Sequence, residues 1–338
     1  MMLETMKRSA FLALAALAAC GPAEPPRPPP LTADPPIGAS SADDGAAATE
    51  LQRGIAYIKN DKYPEAKQHL EQSVQLKKSS EGEYYLGVVR EKLGDKAGAE
   101  EAYKAALELD PAFAEAVANL SALYLDDPAR PDLAIKILKA AIEKIQGDNR
   151  LVQNLAYAYG LKGDVDASSK LYEQLLRKGD NLPLRFAYAS MLFDNKQAEK
   201  AAVELKKCLA ATADDAPMLV TLGRMLGGVK AYGDCVAAID RALKLKSDDP
   251  EWYVRRGICK YEIDDEIGAS ADFQASIKVD PKFATGHYYL GRSLLREKKR
   301  LQAITEFEKA VALGGDSEIG RAAKVKLDEV KSATFKKK

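Results

Sequence analysis

The chain has 338 residues, with 50 basic and 50 acidic side chains and a formal net charge of zero. That balance excludes the basic field of a nucleic-acid binder and the acidic field of a metal store. At 46% hydrophobic and 30% charged the bulk of the chain folds, while 2 His and 4 Cys leave little room for a histidine metal site, a Ser-His relay or a disulfide framework.

The first feature along the chain is a short basic start, Met6-Lys7-Arg8, followed by the uncharged run from Ala10 to Ala19. Such a run is too short to span a bilayer and has the length of a signal-peptide apolar region. It ends in Leu17-Ala18-Ala19-Cys20-Gly21. This closely resembles the lipobox of bacterial lipoprotein signal peptides. The resemblance implies that residues 1–19 are removed and that Cys20 carries the lipid, palmitate included. Several acyl chains on one residue anchor more firmly than one. In Gram-negative lipoproteins an Asp after the Cys retains the protein at the inner membrane. Gly21 stands there instead, so the expected location is the outer membrane, facing the periplasm.

Residues 20–48 hold half of the 16 prolines, with Ala, Gly, Ser, Thr and Asp between them. A segment with almost no large apolar side chain builds no core, and it reads as a disordered linker holding the folded part away from the membrane.

Beyond it the chain repeats. Gly223, Gly257 and Gly291 are 34 residues apart, and Ala189, Ala156, Ser121, Gly87 and Gly54 continue the register backwards. Twelve residues after each, thirteen after Ser121, comes a second small residue: Ala66, Ala99, Ala134, Ser168, Ala201, Cys235, Ala269 and Ala303. Four further on is a larger apolar one: Leu70, Tyr103, Leu138, Tyr172, Leu205, Ile239, Phe273 and Phe307. Two small residues facing each other let paired helices approach closely, and the large residue one turn later fills the gap between units. Gly94-Asp95, Lys162-Gly163-Asp164 and Gly233-Asp234 read as turns inside units, and Asp110-Pro111, Asp249-Pro250 and Asp280-Pro281 as boundaries between them.

This pattern resembles the tetratricopeptide repeat, most plainly in Leu86-Gly87, Ala99, Tyr103, Ala106 and Pro111 and again in Leu290-Gly291, Ala303, Phe307 and Ala310. The resemblance implies an all-α, right-handed α-solenoid of about eight helix-turn-helix repeats over residues 49–317. Residues 318–338 then form a capping helix and basic tail, with Ile319, Ala323, Leu327 and Val330 as the stripe that covers the last repeat. Arg53, Arg256 and Lys260 depart from the family by standing at positions that are usually apolar.

No phosphate loop, nucleophile elbow, metalloprotease helix or Cys-x-x-Cys motif is present in the sequence. No catalytic residue, metal ligand or cofactor is expected, and an enzyme is not. His69 and His287 sit at opposite ends of the array and read as surface or packing residues. Cys208, Cys235 and Cys259 read as small buried residues rather than a bridge, since three thiols besides Cys20 are an odd number.

The resemblance also implies a concave groove lined by the first helix of each repeat. Carried over position by position, its lining includes Tyr84, Val88, Tyr157, Phe186, Phe193, Arg224, Ile258, Tyr261, Tyr288 and Arg292. Aromatic and Arg side chains on such a face point to peptide recognition. The expected function is a lipid-anchored envelope scaffold that binds other envelope proteins or their peptide segments, in assembly of an envelope, secretion or pilus complex. The alternative is a permanent structural subunit of an outer-membrane or peptidoglycan-associated complex. The membrane is a partner only through the lipid; neither nucleic acid nor a small-molecule substrate is expected.

Overall fold

The computed structural model describes residues 42–126 and 130–335. The expected signal peptide, Cys20, most of the expected linker, residues 127–129 and Lys336–Lys338 lie outside the described residues. Among those described there are seventeen helices and no strand, an all-α chain. No described helix is long and apolar enough to cross a membrane. The chain divides into two compact units, Met1–Asn195 and Lys196–Lys338, with the boundary inside the fifth repeat.

The first unit holds α1 (Ala42–Ile58) with α2 (Tyr63–Leu76), α3 (Ser80–Lys92) with α4 (Lys96–Leu109), α5 (Ala114–Leu125) with α6 (Pro131–Lys144), and α7 (Asn149–Lys162) with α8 (Val165–Lys178), then α9 (Leu182–Asp194). The second begins with α10 (Ala198–Ala211). It continues with α11 (Ala216–Gly228) and α12 (Tyr232–Leu245), α13 (Pro250–Glu262) and α14 (Glu266–Val279), α15 (Ala284–Arg296) and α16 (Arg300–Gly314), and closes with α17 (Glu318–Phe335). The residues placed at the end of the linker, 42–48, are instead the first two turns of α1. Alanine is the best helix former, and Ser73 of α2 donates to the Ala47 carbonyl at 2.9 Å, which ties this turn to its neighbour.

The repeat positions have a direct packing role. A Cβ built on Gly87 would sit 2.6 Å from the Tyr103 ring, and one on Gly257 2.6 Å from Phe273. Gly54 against Leu70, Gly223 against Ile239 and Gly291 against Phe307 repeat the arrangement. The large residue therefore lies over the first-helix glycine of its own hairpin, and it also reaches the next unit as expected: Tyr172 stacks on Tyr188 at 5.3 Å, and Asn119 donates to the Tyr103 hydroxyl at 3.3 Å. Tyr103, Tyr172, Phe273 and Phe307 are all fully buried. Phe273 and Phe307 each contribute about 2–3 kcal/mol by leaving water.

Aspartates start several helices. Asp95, Asp164 and Asp265 accept from the backbone N–H three residues on, at 2.9, 3.1 and 2.9 Å, and so cap α4, α8 and α14. The residue before the cap takes a left-handed conformation at one recurring position: Asp61, Gly94, Gly163, Lys196, Lys230, Asp264 and Lys298. Gly94 and Gly163 fit the expected turns. Gly233-Asp234 does not mark one, because α12 has already begun at Tyr232 and the left-handed residue there is Lys230.

The polar departures from the family pattern are paired. Arg256 bonds Asp272 through two nitrogens and Asp240 through a third, and Lys260 reaches the same Asp272 at 3.1 Å. Arg53 pairs with Glu50, which also meets His69 Nδ1 at 2.6 Å. In the last repeat His287 Nδ1 meets Glu306 at 2.6 Å. Gly54 and Gly291 occupy the same register, so both couples fill one slot with the two residue types exchanged. α17 closes the second unit by bringing Leu327 and Val330 into the core with Phe307 and Leu294. Arg300 fixes it with a bond to the Val330 carbonyl.

Candidate functional site

The second unit carries an open recess between two first helices. Asp249 caps α13, and Pro250 suits its first turn. Val254, Gly257 and Cys259 turn inward, which leaves Ile258 and Tyr261 half-buried and Glu262 exposed along one stripe. On α15, Leu290, Gly291 and Leu294 turn inward, while Tyr288, Tyr289 and Arg292 are half-buried. Ile258, Tyr261, Glu262, Tyr289 and Arg292 line the recess with Phe273 of α14.

The aromatic rings are interlocked. Tyr289 stacks on Phe273 at 5.6 Å, and Tyr288 meets Tyr289 edge-on at 5.2 Å and Phe307 at 5.9 Å. The Arg292 guanidinium rests 5.5 Å from the Tyr261 centroid, 6.0 Å from Tyr288 and 5.4 Å from Tyr289. Arg296 lies 3.8 Å over the Tyr261 ring and donates to the Tyr261 carbonyl. Burial pushes the Tyr289 phenol up, against the pull of the Arg292 charge. At the rim, burial and then the Glu262 carboxylate that it bonds raise the Tyr232 phenol. The arrangement offers rigid aromatic faces and a preset cation, which is the chemistry of recognition rather than of bond making.

Of the expected lining, the structure brings together Ile258, Tyr261, Tyr288 and Arg292. Arg224 on α11, and Val88 and Phe193 in the first unit, are half-buried. Tyr84, Tyr157 and Phe186 are not open lining: they are 3%, 7% and 5% exposed. Tyr84 is enclosed by Tyr85, Tyr103 and Phe113 at 5.0–6.1 Å, and burial pushes its phenol and that of Tyr157 up to about 12.

The contrast between Tyr84 and Tyr288 has a local cause. Both occupy the same register position and both precede a second Tyr. Phe113, twenty-nine residues after Tyr84, packs on it at 5.0 Å. The residue at that offset from Tyr288 is Ser317, which has no ring to cover it. Sequence reasoning missed Tyr289, Phe273, Glu262 and Arg296 as members of the site. The Tyr288-Tyr289 doublet, one turn ahead of Arg292, was the available signal.

Cys235 and Cys259 correct a second expectation. They form a disulfide with Cα atoms 6.3 Å apart, linking α12 to α13 directly behind this face. Gly227 makes room for it, since a Cβ there would lie 3.2 Å from one sulfur and 3.5 Å from the other. Cys208 is fully buried, as its small position requires.

Comparison with known proteins finds a partial match to one family. Residues 51–112 match the family model for the tetratricopeptide repeat. The chain is 24% identical over 243 residues to Protein O-mannosyl-transferase TMTC3 of Homo sapiens; the match covers 70% of this chain but only 27% of that protein. Among solved structures, YrrB, described as a TPR protein with an unusual peptide-binding site, is 20% identical with a TM-score of 0.44, over 56% of this chain and 99% of its own. The pilF protein of Pseudomonas aeruginosa is 19% identical with a TM-score of 0.48, over 63% of this chain and 97% of its own.

Proposed function

We propose that the chain, whose residues 51–112 match the tetratricopeptide repeat model, is a non-enzymatic scaffold of the bacterial cell envelope, which binds segments of partner proteins on the first-helix face of its C-terminal unit. The observation that carries the reading is the recess between α13 and α15, where Ile258, Tyr261, Tyr289 and Arg292 converge with no described element over them. Half-buried tyrosine and arginine held rigidly on helices is the composition of binding hot spots.

The envelope part of the reading rests on two supports. The Leu-Ala-Ala-Cys-Gly sequence ending at Gly21 has the form of a lipoprotein signal, which makes Cys20 the anchor and, with Gly21, the outer membrane the destination. The Cys235–Cys259 disulfide supports export, because structural disulfides persist in oxidising compartments. In this setting the scaffold serves assembly of an envelope, secretion or pilus complex.

Two experiments test the proposal. Crosslinking in intact cells followed by pull-down should recover partner proteins from the wild type. The Tyr261→Ala/Tyr288→Ala double variant should lose them with an unchanged helical circular dichroism signal, and retained partners would sink the binding face. Cys20→Ser should move the protein from the detergent-extracted membrane fraction to the soluble one. A variant that stays with the membrane would remove the lipid anchor from the proposal.

A further inference from the structure

The arginines of the second unit differ in how their donors are used. Arg241 donates to the Leu209 and Thr212 carbonyls at 2.8 and 2.5 Å. Arg255 pairs with Glu251, Arg256 with Asp240 and Asp272, and Arg300 with the Val330 carbonyl. Arg296 bonds the Tyr261 carbonyl. Arg292 alone among these makes neither a hydrogen bond nor an ion pair with any described residue, and its contacts are the three tyrosine rings.

A guanidinium has five N–H donors in its plane and no acceptor. Ring contacts occupy the face of that plane and leave its edge unspent. The edge is where a carboxylate binds, through two parallel hydrogen bonds. A half-buried cation flanked by rings is also less screened than a surface one, so an anion meeting it gains more than in a water-exposed pair.

We propose that the mouth of this recess receives one acidic side chain of a partner peptide on Arg292, with the residue next to it, aromatic or aliphatic, lying over the half-buried Ile258. The ligand is limited to a single carboxylate at this point because Glu262 lines the same recess and repels a run of them. The inference rests on the reading of this face as a protein-binding surface and adds the chemistry of what it binds.

The test starts from selection of a random twelve-residue peptide library displayed against the full chain. Selected peptides should carry Asp or Glu beside an aromatic or aliphatic residue. One of them is then synthesised with an amidated C-terminus, so that only side-chain carboxylates are present, together with a copy in which that acid is replaced by its amide. Fluorescence anisotropy should show the amide copy at least tenfold weaker on wild type. The two peptides should be equal on Arg292→Ala, and part of the difference should return on Arg292→Lys, with all three proteins matched in helical signal and melting temperature. An equal loss on wild type and Arg292→Ala, or selected peptides without acidic residues, would overturn the inference and leave the binding face standing. A library that yields no binding peptide at all would remove the face itself, and the inference with it.

Discussion

At one turn position the backbone asks for glycine, and the sequence supplies it only twice. Gly94 and Gly163 take the left-handed conformation without cost, whereas Asp61, Lys196, Lys230, Asp264 and Lys298 hold φ between 56° and 63° with a Cβ in place. That geometry costs about 1–2 kcal/mol in an L-residue other than glycine. Lys298→Gly should therefore raise the urea midpoint, by an amount equal to about 1 kcal/mol, and Gly163→Ala should lower it by a similar amount. A midpoint that falls in Lys298→Gly would show that the side chain does more than occupy the turn. Turn chemistry of this kind was half legible: the Gly-Asp pairs announced two turns correctly and misplaced a third at Gly233. Nothing in the dipeptide Val229-Lys230 signals a left-handed residue; only the 34-residue register locates it. Exposure was less legible still. Tyr84 and Tyr288 are indistinguishable in their own helices, and what decides their burial is the residue twenty-nine positions later.

Helices in this chain are legible as pairs, because a small residue in one and a large residue in the next must coincide. The Gly257–Phe273 approach shows why the spacing is kept within a hairpin. The start of α1 was harder to read, since an Ala-rich segment beside a proline-rich one looks like a linker until Leu51 and Ile55 are seen to be buried in the core. The disulfide between α12 and α13 was hidden by the odd number of thiols. Cys208, Cys235 and Cys259 all suit small buried positions, and only the packing of two neighbouring hairpins tells the bonded pair from the third. Closing a loop of 24 residues stabilises by about 3 kcal/mol in the chain-entropy account. The Cys235→Ala/Cys259→Ala variant should accordingly melt well below the oxidised wild type, and wild type in reductant should move toward it. Matching melting curves with and without reductant would mean that the two sulfurs are not bonded in solution.

Across the molecule, ionised carboxylates recur as fixed parts of the hairpins, and their sum sets the response to acid. Burial opposes the charge on Asp148, but bonds from the Arg150 side chain and backbone outweigh it and hold this carboxyl below its ordinary range. Glu306 is likewise held down, burial being overcome by bonds from Lys309 and His287. A depressed folded-state value adds stability above the unfolded value, near about 4, and loses it as the pH falls through the folded one. Glu83 and Glu251, raised chiefly by burial, run the other way. The Asp148→Asn variant keeps the helix cap but loses the ion pair with Arg150, so it should be up to about 1 kcal/mol less stable at pH 7 and should lose stability less steeply than wild type between pH 4 and 2. Parallel acid limbs for the two proteins would sink this assignment.

Glu50 with His69 and His287 with Glu306 carry one more consequence. Compared column by column, the first and last repeats disagree at both positions, an acid against a base each time. Compared as couples they are the same object, turned around. What the architecture has copied there is a relation between two helices, indifferent to which helix holds which end. Installing the reversed couple in the first repeat, Glu50→His with His69→Glu, should restore the melting temperature that Glu50→His alone lowers. If it does, the two helices of a hairpin can exchange charges as a lock and key exchange sides, and repeats can diverge in every letter while keeping their grammar.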